Sequence, residues 1–278
     1  MLQFKSWVRT DVGTVRETNE DSAFAGSSLL MVADGVGGAA AGEIASSSAT
    51  YVVSAAALME GRNTAAAELL ERALTFANRQ IHTESAHRSD RHGMSTTATA
   101  ILTDGATIVL AHVGDSRAYR YRAGRLTQLT RDDSLLQDLL DSGAVRPEDA
   151  RTYPYRNVIT KSLGQDEPVG LMITPLTLAV GDRVLLCSDG VTDFLDDLQL
   201  AEAIRHDVDL AAERIVAEAL EHQSHDNVTC VVAEVVDQKW VRPWGTMAGA
   251  GWDPTNLIDG AAVRSLESVG SSTVLTYH

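Results

Sequence analysis

Ser28–Leu–Leu–Met–Val–Ala–Asp–Gly–Val–Gly–Gly–Ala–Ala–Ala–Gly42 is the stretch on which the reading of this chain turns. It opens as a short, continuous apolar run, Leu29 to Ala33, with the length and composition of a buried strand. Asp34 is the first residue able to leave the sheet. Gly35, Gly37 and Gly38 follow, before a small-residue helix expected over Glu43–Leu58. A carboxylate at the mouth of a buried strand is costly unless something positive meets it. Glycines beside it let backbone carbonyls approach the same positive object. A divalent cation satisfies both conditions.

The acid at a strand exit returns further along. Asp115 follows the apolar run Thr107–Val113, Asp189–Gly190–Val–Thr–Asp193 follows Val184–Ser188, and Asp226–Asn227 leads into a last strand, Val228–Val236. The charged loop Gly13–Asp21 brings Arg16, Glu20 and Asp21 close together. Oxygen-only ligands suit hard cations such as Mg2+ and Mn2+, whereas zinc prefers His or Cys. Carboxylates gathered in one cleft do not all stay ionised without cations. Two ions roughly 3.5–4 Å apart can share a water, lower its pKa and aim it at a phosphorus atom. Arg16 is a fitting fork for the non-reacting phosphate oxygens.

The 278 residues hold 38 acids against 23 Lys and Arg, a formal charge of −15 that argues against nucleic-acid or anionic-membrane partners. The 44% hydrophobic fraction is that of an ordinary globular protein. No window approaches ~18 consecutive apolar residues, so no membrane insertion is expected. The N-terminus lacks a signal-peptide pattern, so a cytoplasmic location is expected. Cys187 and Cys230 sit in apolar strand-like runs and are expected as buried free thiols.

In order, the chain reads as a strand over Phe4–Val12, a hairpin over Asp21–Ala33, and two helices. The second helix is expected to start at an Asn63–Thr64 cap and run past Ile81. His82, His87 and His92 lack zinc-site spacing and read as surface residues. Four β-type runs, Thr96–Leu102, Thr107–Val113, Ser116–Arg122 and Arg125–Leu129, suggest one antiparallel meander. Residues 131–170 are polar and broken by prolines, a flap with one short helix, Ser134–Leu140. Strands Leu171–Leu178 and Val184–Ser188 and helices Leu198–Arg205 and Leu210–Glu221 complete the domain, residues 1–237. Residues 238–278, with Trp240, Trp244, Trp252 and many glycines, read as a tail or linker. The pattern Gly35–Val–Gly37–Gly–Ala–Ala40 also matches a loose dinucleotide fingerprint. Asp34 would repel a pyrophosphate there, and the later chain is not alternating βαβ.

Taken together, Arg16-x3-Glu20–Asp21, Asp34–Gly-x-Gly–Gly38, Met94–Ser–Thr–Thr97, Gly114–Asp–Ser–Arg117, Ser188–Asp–Gly-x-x-Asp193 and Asp226–Asn227 resemble, in order, the PP2C (PPM) metal-dependent protein phosphatases. The likeness is greatest to the bacterial Ser/Thr phosphatases that oppose Ser/Thr kinases, and it spans roughly residues 4–236. It implies an α/β/β/α sandwich, two central antiparallel sheets flanked by helix pairs. It implies Asp34 as the carboxylate bridging two Mn2+ or Mg2+ ions, Gly35 lending a carbonyl, and Asp189 and Asp226 completing the pair. Asp115 and Asp193 would serve a weaker third ion, Glu20 and Asp21 would hold metal-bound waters, and Arg16 would grip the phosphate of a phosphoprotein. Attack would come from a hydroxide bridging the ions, with no phosphoenzyme.

Three positions depart from the family pattern. Val36 stands where animal members carry a His proposed to protonate the leaving alcohol, which leaves the general acid unassigned. Water on a third ion and His225, beside Asp226, are the two candidates. Ser95 replaces a usual glycine, and Tyr153–Pro154 a common His–Pro. Two alternatives remain: a catalytically inactive phosphoprotein-binding scaffold of the same fold, and a phosphatase restricted to one phosphorylated regulator.

Overall fold

Leu29 to Ala33 is buried along its whole length. Leu29, Met31 and Ala33 enter one apolar cluster, while Leu30 and Val32 enter another. A strand buried on both faces has a layer above and a layer below it. The rest of the architecture follows from that.

The computed structural model describes residues 1–36, 41–239 and 243–258. The chain begins with β1 (Leu2–Asp11), β2 (Ser22–Gly26), β3 (Leu29–Ala33) and the short β4 (Gly35–Val36). The long helices α1 (Gly42–Glu60) and α2 (Ala66–His87) follow. Next come β5 (Ser95–Thr96), β6 (Ala98–Thr103), β7 (Ile108–Val113), β8 (Arg117–Arg122) and β9 (Arg125–Gln128). After α3 (Leu135–Asp141) the chain forms β10 (Met172–Pro175), β11 (Arg183–Cys187), α4 (Asp189–Thr192), α5 (Asp197–Ala203) and α6 (Val208–Glu221). It closes with β12 (Val228–Asp237) and β13 (Gly245–Gly249).

Among the described residues, one sheet has the order β1-β12-β11-β8-β9 and the other β10-β7-β6-β3-β2-β13, with every pairing antiparallel. Alternation along the strands divides the core into three. Leu30, Val32, Leu186 and Val231 meet between the sheets. Ala45, Ala49, Val53 and Ala57, one small-residue face of α1, pack with Leu70 and Leu74 of α2 on the outer side of the larger sheet. Leu200, Ile215 and Val216 of α5 and α6 cover Leu185 and Cys187 on the outer side of the smaller. The four-layer sandwich expected from the resemblance is the architecture observed. Cys187 and Cys230 are cross-strand neighbours, and both are buried free thiols as expected.

Four details differ from the sequence reading. The single meander is split: β6 and β7 belong to one sheet, β8 and β9 to the other, and the chain crosses between them at Gly114–Ser116. The start of α2 is not capped by Asn63 or Thr64; Asp104 Oδ2, from a distant turn, accepts from Ala66 N–H at 3.3 Å. Asp189–Thr192, read only as an acid at a strand exit, forms a one-turn helix. Residues 243–258 lie within the stretch read as a tail, yet Gly245–Gly249 pairs with β2 along its whole length. Five residues of Gly, Thr, Met and Ala carry too little β-propensity to be seen without their partner strand. Gly37, Gly38, Ala40 and Trp240, singled out in the sequence, lie outside the described residues.

Candidate functional site

The acids picked out from the sequence converge at one end of the sandwich, where the strand registers place Ser22 opposite Ala33 and Asp11 opposite Val228. Asp34 follows β3, and its backbone is fully occupied. Its N–H donates to Thr97 Oγ1, and its carbonyl accepts from Thr97 N–H and Thr96 Oγ1, each at 2.9 Å. Only the carboxylate is left for the cleft. Thr97 Oγ1 also shares a hydrogen bond with Ser116 Oγ at 2.7 Å, which ties Asp34 to the crossing that carries Asp115.

On the other sheet, Asp189 opens α4. Gly190 lies so close to the neighbouring loop that a Cβ would sit 1.9 Å from the Asn227 carbonyl oxygen, so the turn bearing Asp189 presses directly on Asp226–Asn227. Asn227 is the clasp of this corner. Its Oδ1 accepts from Glu20 N–H at 2.8 Å, and its Nδ2 donates to the carbonyls of Val12 at 3.0 Å and Thr18 at 2.9 Å. Both ends of the loop carrying Arg16 are thereby held to the start of β12. Arg16, largely exposed, donates from Nη2 to Asp226 Oδ2 at 2.9 Å. Ser188 Oγ donates to Asp21 Oδ2 at 2.8 Å, bridging the two sheets through a buried pair.

These placements put the carboxylates in one another's field. Burial, then Asp21, Asp189, Asp115 and Asp226, hold the Asp34 carboxyl well above the usual range. Burial, then Asp115, Asp193, Asp226 and Asp21, do the same to Asp189. Burial pushes Asp21 up to about 6 against hydrogen bonds from Thr229 and Ser188. Burial and Asp132 push Asp115 up to about 7. Glu20 is raised by burial and by Glu43, and stands nearer the start of α1 than the centre of the cluster. Oδ1 of Asp21 and Oδ1 of Asp115 are buried without a donor. Among the described residues, no three His, Cys, Asp or Glu side chains close on one point tightly enough to hold a metal by themselves. Mg2+-type sites need only one or two carboxylates per ion, completed by waters and carbonyls, so orphaned oxygens in a shared field fit hard cations.

Asp193, at the end of α4, faces outward to Arg156 of the flap at 3.5 Å. A cleft of about 540 Å³ opens there, lined by Asp115, Asp189, Asp193, Arg156 and Asn157 among others. Two acids that sequence reasoning missed anchor the flap. Asp132 receives Arg117 through Nε and Nη2. Asp133 receives Gly114 N–H at 3.2 Å and Lys161 Nζ at 2.6 Å. Their signal was present: a paired Asp–Asp just before a Ser helix cap, in a stretch read only as polar. The two departures Val36 and Ser95 prove to be β-bridge partners, and His225 is exposed with its ring edge-on to Phe194 at 5.1 Å.

Among known proteins, the protein phosphatase 2C family model matches residues 15–231. The chain belongs to that family. Within the 2C family it is 42% identical over 245 residues to the serine/threonine protein phosphatase PstP of Mycobacterium tuberculosis, across 87% of this chain and 47% of PstP. The chain thus spans about half the length of that relative. It is 32% identical to the serine/threonine phosphatase stp of Listeria monocytogenes, covering 81% of this chain and 94% of that one. The crystal structure of the M. tuberculosis PstP/Ppp phosphatase is similar at a TM-score of 0.77 with 41% identity, over 84% of this chain and 98% of that one. The catalytic domain of PstP in complex with two manganese ions is similar at a TM-score of 0.74 with 40% identity, over 85% of this chain and all of that one.

Proposed function

We propose that this chain is a Mn2+- or Mg2+-dependent phosphatase that hydrolyses phosphoserine and phosphothreonine in proteins, above all those phosphorylated by a Ser/Thr kinase in the cytoplasm. The observation that carries the reading is the crowding of Asp34, Asp189, Asp21, Asp115 and Asp226 into one field, with buried carboxylate oxygens left without donors. The manganese-bound PstP structure supports it by likeness.

In this reading Asp34, Asp189 and Asp226 hold two ions with the help of the Gly35 carbonyl, and Asp115 and Asp193 serve a weaker third. Divalent cations held there would supply positive charge for the phosphate and a lowered pKa for a water facing the phosphorus. Arg16 exchanges Asp226 for the phosphate oxygens, to which its planar fork is matched. Glu20 and Asp21 orient water by hydrogen bonds, a supporting role that commonly sets ligand geometry. Arg156 and Asn157 stand on the flap side of the cleft, where residues flanking the phosphate would pass. The phosphoryl group passes directly to water.

The test is phosphate release from a phosphothreonine peptide with Mn2+, with EDTA, and with Asp34→Asn. Release is expected only from the wild type with metal. Turnover that ignores both chelation and the substitution would sink the reading; peptide binding with no release at any Mn2+ concentration would point to a scaffold.

A further inference from the structure

The family match ends at residue 231, yet the chain goes on to build against the site. β13 pairs with β2 from Gly245 opposite Gly26 to Gly249 opposite Ser22, and β2 begins one residue after Asp21. Just past β13, Ala250 N–H donates to the Asp21 carbonyl at 2.7 Å. Gly249, at φ +72°, lies so close that a Cβ would stand 2.1 Å from that same oxygen. On the other side, Asp21 N–H donates to Asn19 Oδ1 at 3.0 Å, and Asn19 Nδ2 is held by Thr10 Oγ1 at 2.8 Å. Trp252 and Asp253 share one hollow with Asn19 and Thr10. The backbone of Asp21 is therefore gripped at both its donor and its acceptor, while its buried Oδ1 has no partner.

We propose that Gly249 and Ala250 are positioning residues of the metal site: they hold the Asp21 peptide in the one orientation that aims its free carboxylate oxygen into the acidic cluster. This rests on the reading of those acids as a divalent-cation site. If the Ala250 bond is lost, the Asp21 carbonyl is left without this donor; the peptide turns to find another, and the side chain turns with it. Outer-shell partners of metal sites commonly contribute 10- to 100-fold in affinity.

Ala250→Pro tests this, because proline removes the N–H and sets its ring Cδ against the Asp21 carbonyl in its place, while its fixed φ suits the first residue of the short helical turn 250–252. Mn2+ binding to the metal-free chain is measured by titration calorimetry, alongside phosphopeptide kinetics. Ala250→Pro is expected to bind Mn2+ about tenfold more weakly. Its kcat falls at limiting Mn2+ and recovers in excess, with KM for the phosphopeptide unchanged. Met247→Ala, which hollows the core under the same strand without touching Asp21, lowers Tm but leaves Mn2+ affinity as in the wild type. Should Ala250→Pro not fold, Gly249→Ala carries the same test by driving a methyl group into the Asp21 carbonyl. A folded Ala250→Pro or Gly249→Ala chain with wild-type Mn2+ affinity overturns the proposal. A wild-type chain that binds no Mn2+ overturns the reading of the acids instead, and this proposal with it.

Discussion

Arg16 and Asn227 sit on the same loop-to-strand corner and predict opposite signatures. Arg16 is exposed and bonded to Asp226 across water-accessible space, so the pair adds little to stability. Its loss should be felt in kinetics. A hydrogen bond to a charged group is worth about 1.5–3 kcal/mol, so Arg16→Ala should lose about 10- to 100-fold in kcat/KM with Tm unchanged. Lys at that position should recover little, since it lacks the fork. Asn227 is buried and makes three hydrogen bonds to the arch over residues 12–20. Asn227→Ala leaves those groups unpaired at a cost of about 2–4 kcal/mol, and a thermal melt should fall by about 5–10 °C. A melt within about 2 °C of wild type would show that water replaces the amide. Asp34, Asp189 and Asp226 were legible in sequence because each follows or precedes an apolar run. Asp132 and Asp133 showed only as an Asp–Asp pair before a helix cap; their burial depends on Arg117 and Lys161, which are distant in sequence.

Among the elements, β3 was the easiest to read: five apolar residues in a row have nowhere to go but the centre. β13 was the hardest, because its residues become a strand only when β2 is already in place. The division of the expected meander between two sheets has the same origin. Period-two alternation identifies strands but says nothing about which sheet receives them, and the Gly114–Ser116 crossing is decided by packing on both sides. That crossing is braced by the flap root, where Arg117 and Asp132 form a largely buried pair. Arg117→Ala strands the Asp132 charge and should cost about 3–5 kcal/mol. Ser134→Ala removes only the α3 cap to Gln137 N–H and should cost about 1 kcal/mol. Denaturant melts of the two variants should therefore separate by midpoint; equal midpoints would mean that the flap root does not bear on global stability.

At the scale of the whole molecule, the crowded acids make the metal-free fold sensitive to pH in an unusual direction. Asp21 and Asp115 titrate near 6 and 7 in the folded chain but near 4 when unfolded, so between these values the folded state binds more protons. Stability is then greatest at the acidic end of that window and is lost as pH rises through 6 and 7. A tenfold difference in proton affinity is about 1.4 kcal/mol, and 1 kcal/mol moves Tm by about 2–4 °C in a domain of this size. Metal-free chain should thus melt several degrees lower at pH 8 than at pH 5. Mn2+, which needs the carboxylates ionised, should raise Tm more at pH 8 than at pH 5. A metal-free Tm that rises steadily from pH 5 to pH 8 would contradict the clustering of these groups.

Asp34 belongs to one sheet and Asp189 to the other, and Ser188 already reaches across to Asp21. Anything that binds all of them is a rivet through the seam of a sandwich otherwise joined mainly by oily contact. Amide hydrogens at Val32–Ala33 and Leu186–Cys187, distant in sequence and in different sheets, should then slow their exchange together when Mn2+ is added. The seam, not either sheet alone, would be what the ions stiffen.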